Sequence, residues 1–294
     1  MAGKICLTGG SGFLAWAFQA EGGAEEYFLP LRRPHPHLAK GRILESWQGE
    51  DWESIFKREK VVAVINTAAM SDPAQCDAQP VESNWVNVEW PLLLGNLCRK
   101  MNIPLVHFSS DLVFNGREKC YGDHSVPSPL SLYGKQKAEV ESRLMEIYPQ
   151  AWVCRLPLLF GESGPESRNG WAHWIVRAKK GERQPLFVDE FRSTIRSRQV
   201  ARFVLSRLGE LDGLMNLGGP EPLSRYEMGM KVCEVFRLET SNIIPTKLAE
   251  AKFLSPRPPS LVLDSSRARS EGLGGDFFKE ELEAIKAEGG WVRA

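Results

Sequence analysis

The chain lacks any apolar run approaching the ~18 residues needed to cross a bilayer. It also lacks a charged start followed by an apolar stretch, since strand-like sequence begins at Lys4. No membrane partner is therefore expected, and the expected compartment is the cytoplasm. Charge of one sign is missing as well, because 37 Lys plus Arg balance 37 Asp plus Glu. With no global field to draw nucleic acid or anionic lipid, any anion site has to be a local cluster, and no nucleic-acid partner is expected. The six cysteines are scattered, with neither a CxxC pair nor a histidine spacing that would build a zinc site. They read as reduced, mostly buried small apolar residues, and no metal is expected. Long repeats and low-complexity tracts are absent, which excludes a solenoid and a disordered tail.

What remains is 294 residues with an apolar fraction of 43%, enough for one large domain or two interlocked ones. Short β-rich runs at 4–7, 27–31, 61–65, 105–108 and 152–156 alternate with segments long enough for crossover helices. That alternation predicts an α/β fold, a Rossmann-type doubly wound parallel sheet with a smaller C-terminal substrate-binding lobe. The Gly161-Glu162-Ser163-Gly164-Pro165 tract marks the boundary. Residues 1–165 are expected to form the nucleotide-binding domain, with later segments such as 185–217 returning to it, and 166–294 mainly the second lobe. There Ser224-Arg225-Tyr226-Glu227 reads as a capping box before Met228, Val232 and Val235. Asp276 reads as the cap of a closing helix that carries Phe278, Leu282 and Ile285 on one face.

The run Thr8-Gly9-Gly10-Ser11-Gly12-Phe13-Leu14-Ala15 directly follows the apolar Ile5-Cys6-Leu7. Gly9, Gly12 and Ala15 allow a tight turn, close approach to a pyrophosphate, and a helix whose N-terminal amides face negative charge. Alone, such a triplet is also an ordinary strand-to-helix turn; its place after the first strand favours a dinucleotide. The second strand ends in Leu31-Arg32-Arg33 rather than an acid. Arg32 and Arg33 suit a 2′-phosphate, so NADP is favoured over NAD, the other reading being two solvated cations.

Tyr133 and Lys137 fall one turn apart if 134–145 is helical. The ammonium then lowers the phenol's pKa and makes it a general acid. Upstream, His107-Phe108-Ser109-Ser110-Asp111 ends a strand where a serine hydroxyl can hydrogen-bond a substrate carbonyl. An isolated YxxxK is usually an aromatic at a helix start beside a surface cation. The glycine loop and the serine strand turn it into a Ser, Tyr and Lys set for hydride transfer.

With these residues the chain resembles an extended short-chain dehydrogenase/reductase, and within that superfamily the dTDP-4-dehydrorhamnose reductase family. Besides the glycine loop, the resemblance rests on Ile65-Asn66-Thr67-Ala68-Ala69, Trp85-Val86-Asn87, the stretch from Phe108 to Gly116, Tyr121, Pro129 and Tyr133-Gly134 with Lys137. Arg155-Leu156-Pro157, the run from Gly218 to Ser224 and Arg257-Pro258-Pro259-Ser260 extend it into the second lobe. The resemblance implies that Tyr133 protonates the C4 oxygen of a 4-keto sugar, most of all dTDP-4-dehydro-rhamnose, while NADPH delivers hydride. Lys137 would also hold the nicotinamide ribose, and Ser110 would polarise the ketone. Gly9, Ser11, Gly12, Phe13, Leu14, Asn66, Ala68, Ala69 and Pro157 would line the cofactor. A nucleotide-diphosphate sugar is the implied partner, and a homodimer is allowed. Two alternatives stand beside this: a nucleotide-sugar epimerase or dehydratase of the same superfamily, and a non-catalytic NADP-binding subunit like the regulatory beta subunit of methionine adenosyltransferase.

The departures from the family pattern are Asp123 and Ser125 where the family has glutamate and aspartate, Val140 in place of a small residue, and the basic Arg192-Ser193-Thr194-Ile195-Arg196-Ser197-Arg198. On a strand Arg196 and Arg198 would share a side and, with Arg192 and Arg257, clamp a diphosphate; a solvated basic edge is the other reading. Asp111 and Trp171 complete the expected substrate contacts, Trp171 by stacking, although aromatics such as Trp171, His173 and Trp174 also serve packing.

Overall fold

Six parallel strands lie in the order Gly213–Asn216, Trp152–Leu156, Leu105–Ser110, Val61–Asn66, Lys4–Thr8 and Tyr27–Phe28. The computed structural model describes residues 3–22, 26–35, 38, 41–44, 47–162, 170–251 and 257–290, with the side chains of 170–173 outside that description. Every residue of Leu105–Ser110 and Trp152–Leu156 is buried, as expected of parallel strands covered on both faces. The helices Phe13–Gly22 and Ser197–Ser206 close one face around Phe18, Phe108, Trp152 and Phe203. Trp52–Glu59, Trp90–Met101 and Leu132–Ile147 supply Phe56, Leu94, Leu97, Val140 and Leu144 to the core on the other. Strand order reverses between Lys4–Thr8 and Val61–Asn66, so the crevice beyond their carboxyl ends is where such a sheet binds ligand.

A second core gathers Phe160, Ile175, Leu186, Met228, Val232, Phe278, Leu282 and Ile285. Its helix Arg225–Phe236 opens with the capping box read from sequence, Ser224 accepting from the Glu227 amide at 3.1 Å and Glu227 from the Ser224 amide at 2.7 Å. The last helix, Phe278–Ala287, differs from expectation. Asp276 does not cap it; the Phe278 amide donates instead to the Glu221 carboxylate at 2.8 Å, a cap from another element that local pattern does not reveal. All six cysteines are free, five buried and Cys120 exposed.

Two further expectations change. The 27–31 run breaks in two: Tyr27–Phe28 joins the main sheet, whereas Pro30–Leu31 pairs with Arg42–Ile43, since Pro30 has no N–H to continue a ladder. The basic 192–198 segment is not one strand. Phe191–Arg192 and Ile195–Arg196 are separate two-residue strands, and Arg198 lies in the Ser197–Ser206 helix.

Candidate active site

The first turn of the fold is built for close backbone approach. Gly9 has φ of 72°, and a Cβ there would lie 2.7 Å from the Ala68 nitrogen, so both conformation and space require glycine. The Gly12 amide donates to the Gly9 carbonyl at 2.8 Å and the helix begins at Phe13, leaving its first amides facing the crevice. Asn66 stands behind this turn: it accepts from Thr8 Oγ1 at 2.6 Å and the Ala68 amide at 3.3 Å, and its amide group meets His107 Nδ1 at 3.0 Å. It lines neither cavity of the cleft, so its contacts fix the turn.

Two cavities meet at Gly12, Thr67, Ala68 and Ala69. One, of about 610 Å³, is lined by Gly9, Ser11, Arg32, Arg33, Glu82, Trp47, Trp85 and Trp90 among others. Arg32 and Arg33 follow the Pro30–Leu31 strand directly, and Arg32 Nη1 stands 3.6 Å from the Glu82 carboxylate. The other cavity, of about 800 Å³, is lined by Phe13, Leu14, Ser110, Asp111, Tyr133, Lys137, Pro157, Glu190, Arg192 and Arg257.

Tyr133 and Lys137 enter on the Leu132–Ile147 helix, capped by Ser131 accepting from the Gly134 amide at 3.1 Å. A Cβ on Gly134 would meet the Leu112 carbonyl at 2.2 Å, so the glycine after Tyr133 is what lets the helix start dock beside the Ser110 strand. Ser110 and Tyr133 line the same cavity, the Ser110 hydroxyl donating to Asp111 Oδ1 at 3.1 Å. Lys137 donates from Nζ to the Phe108 carbonyl at 2.8 Å and sits 5.9 Å from the Tyr133 ring centroid. The three side chains thus come together at the carboxyl end of the Leu105–Ser110 strand.

The electrostatics differ from the sequence expectation in one respect. Burial, reinforced by the Asp111 carboxylate, pushes the Tyr133 phenol well above its ordinary value, and the nearby Ser110 hydroxyl only moderates this. Lys137 does not pull the phenol down; its own pKa is lowered to about 8 by burial, against the opposing pull of Glu141. Asp111 is raised to about 6 by burial, with Arg192 and Ser110 acting in the opposite direction. Tyr133 is therefore held protonated, the form that donates.

Glu141 reaches the site through a buried bidentate pair, accepting from Arg155 Nε at 2.9 Å and Nη2 at 2.7 Å, and from Ser109 Oγ at 2.5 Å. The departures Asp123 and Ser125 lie away from the cleft lining: Asp123 accepts from the Asn216 amide at 2.7 Å and Ser125 from the Gly122 amide at 2.9 Å. A π-turn at Trp85–Glu89, ahead of Pro91, places Asn87 so that it bonds the Met70 amide at 2.9 Å and Gln136 at 2.8 Å.

The expected arginine set separates. Arg192 gives Nη1 to the Phe191 carbonyl at 2.7 Å and Nη2 to Glu190 and the Pro258 carbonyl, while Nε faces Asp111 at 3.5 Å. Arg257, 43% exposed, lies at the rim with Nη2 3.1 Å from Glu190. Arg196 is elsewhere, buried among Glu162, Glu281 at 3.2 Å and Glu288 at 2.8 Å. It lines neither cavity and does not join Arg192 and Arg257. Trp171 and His173 have side chains outside the described residues. Sequence reasoning passed over Thr67, Glu190 and Arg225. The Arg225 amide donates to the Glu190 carbonyl at 3.1 Å, and burial lowers its guanidinium to about 10, with Glu190 opposing. In the sequence Glu190 stands with Asp189 between Val188 and Arg192, an acid at the edge of the basic stretch.

A doubly wound sheet with a glycine turn at its first strand and Ser, Tyr and Lys at its fourth defines an extended short-chain dehydrogenase/reductase. Residues 3–288 match the RmlD substrate binding domain family, and the chain belongs to it. It is 28% identical over 229 residues to a probable low-salt glycan biosynthesis reductase, Agl14, of Haloferax volcanii, covering 76% of each chain. It is 25% identical over 288 residues to methionine adenosyltransferase 2 subunit beta of Rattus norvegicus, covering 92% of this chain and 83% of the relative. Its fold superposes on dTDP-4-dehydrorhamnose reductase from Bacillus anthracis in complex with NADP, with a TM-score of 0.84 at 20% identity, covering 98% and 100% of the two chains. No helix among the described residues is long and apolar enough to cross a membrane.

Proposed function

We propose that the protein is an NADPH-dependent reductase of a keto group on a nucleotide-activated sugar, with dTDP-4-dehydro-rhamnose as first substrate. The observation that carries this reading is Tyr133, beside Lys137 and lining one cavity with Ser110, in a cleft continuous with the Gly9–Gly12 turn. The cofactor fits what is there, since a Cβ at Gly9 would fill the space against Ala68 and two cations line the adenosine-side cavity. When bound, NADPH supplies the hydride. Ser110 hydrogen-bonds the ketone oxygen, and Tyr133 donates its phenolic proton to that oxygen as charge builds there. Lys137 then stabilises the phenolate. Burial, which keeps Tyr133 protonated at rest, suits it to the reductive direction.

The test is NADPH absorbance decay with dTDP-4-dehydro-rhamnose, beside NADH and Tyr133→Phe. Substrate-dependent decay preferring NADPH and lost in the variant supports the reading; no decay with any keto-sugar removes it. A second reading, a non-catalytic NADP-binding subunit, draws on the similarity to methionine adenosyltransferase 2 subunit beta over most of the chain. It requires stable capture of a synthetase together with no turnover. An epimerase reading predicts product formation without net NADPH consumption.

A further inference from the structure

The Ser110 hydroxyl has one hydrogen and two lone pairs to distribute, and two of these three are already assigned. As the cap of the short turn Asp111–Val113 it accepts from the Leu112 amide at 3.2 Å. Its hydrogen goes to Asp111 Oδ1 at 3.1 Å. What remains for the cavity it shares with Tyr133 is a lone pair, an acceptor. The ketone oxygen of the proposed reaction is an acceptor too, so this arrangement does not polarise it. Asp111 is 4% exposed, and its Oδ2 lies 3.5 Å from Arg192 Nε. A proton added to the carboxyl therefore settles on Oδ1, away from the guanidinium and toward Ser110 Oγ. The Oδ1–H group then donates to the second lone pair of Ser110, and the serine hydrogen is free to turn to the cavity.

Resting on the reading of the cleft as a keto-sugar site, we infer that Asp111 is a positioning residue that sets the direction of the Ser110 hydroxyl. As a carboxylate it holds Ser110 as an acceptor toward the cavity. As a carboxylic acid it makes Ser110 the donor that ketone reduction uses, while its own proton stays within the pair. Both forms are accessible close to neutrality, because burial raises Asp111 to about 6, with Arg192 and Ser110 opposing and Glu190 adding to the rise. The other charged or titratable groups around it are Tyr133 on the Leu132–Ile147 helix, whose phenol Asp111 pushes up, and Lys137 and Arg257, which line the same cavity. Tyr133 keeps its proton throughout this range and Lys137 titrates at about 8, so neither accounts for a step near pH 6. The donor form of Ser110 prevails below that step and is lost as pH rises through it.

The test is kcat/KM for dTDP-4-dehydro-rhamnose at saturating NADPH, from pH 5.5 to 7.5, in the wild type, Asp111→Asn and Ser110→Ala. In the wild type kcat/KM, which reports the site before substrate binds, should fall by about fivefold or more across this window. Asp111→Asn has nothing to titrate at that position, and its amide can donate to Ser110 Oγ at every pH, so its profile should be flat within about twofold. A purely structural role for Asp111 would lower the rate and leave the step in place. A flat wild-type profile, or the same fall in Asp111→Asn, overturns the inference and leaves the reductase reading standing. No turnover of any keto-sugar by the wild type at any pH overturns both. If Asp111→Asn does not fold, Ser110→Ala decides: its residual rate should lose the step as well, and a retained fall of about fivefold overturns the inference.

Discussion

Lys137 donates to the Phe108 carbonyl at 2.8 Å from a position where burial lowers its own pKa to about 8. In the proposed reaction turnover depends on the charged form, so kcat should fall as pH rises through about 8, measured as NADPH oxidation across pH 6 to 10. Stability moves the other way. The folded chain releases this proton near 8 and the unfolded chain only near the ordinary 10.5, so between these the unfolded state holds more protons and the Lys137 contribution to stability rises with pH. Denaturant titrations of wild type and Lys137→Met should show the wild type gaining on the variant over that window.

Tyr133→Phe removes the donated proton and leaves the ring in place. Turnover should drop on the order of 10²–10⁴-fold with NADPH affinity within about twofold of wild type, read by fluorescence titration. Equal loss of both would sink the division of labour between Tyr133 and the glycine turn.

Arg32 and Glu82 line one cavity and form a solvent-exposed pair at 3.6 Å. Such pairs are worth about 0–1 kcal/mol, so Glu82→Gln should tighten 2′,5′-ADP by no more than about fivefold. Arg32→Ala should weaken it about tenfold and leave 5′-ADP nearly unchanged, the 2′-phosphate being what an arginine grips. A parallel loss of both ligands would remove Arg32 from cofactor discrimination.

Glu141→Gln should destabilise the fold by about 3–5 kcal/mol, the cost of stranding one member of a buried pair, because Arg155 is 1% exposed. Chemical denaturation checks this. A loss under about 1 kcal/mol would mean that Arg155 finds other acceptors.

The parallel sheet, the glycine turn and the Tyr133 to Lys137 spacing were legible in the sequence because each rests on a short-range rule: hydrophobic period, the φ demand at Gly9, one helical turn. The capping box at Ser224 was legible for the same reason. Long-range partners were not. Arg196 read as a phosphate ligand because its three carboxylates lie 34, 85 and 92 residues away. The Phe278 cap lies 57 residues away, on Glu221. The sign of the Tyr133 shift was missed because a spacing gives proximity to Lys137 but not depth of burial, and here desolvation dominates.

The ionic cluster on Arg196 also has a temporal side. Arg196 precedes the last strand of the main sheet, Gly213–Asn216, whereas Glu281 and Glu288 are translated far later. Glu288 also holds Arg198, which pairs with Glu21 on the first helix. Glu162 and Glu21 precede both arginines in the chain, so each guanidinium has one carboxylate partner before the last segments are made. Glu281 and Glu288, at the far end of the chain, are the partners that complete the cluster, so the ionic shell of Arg196 is filled last in the order of translation.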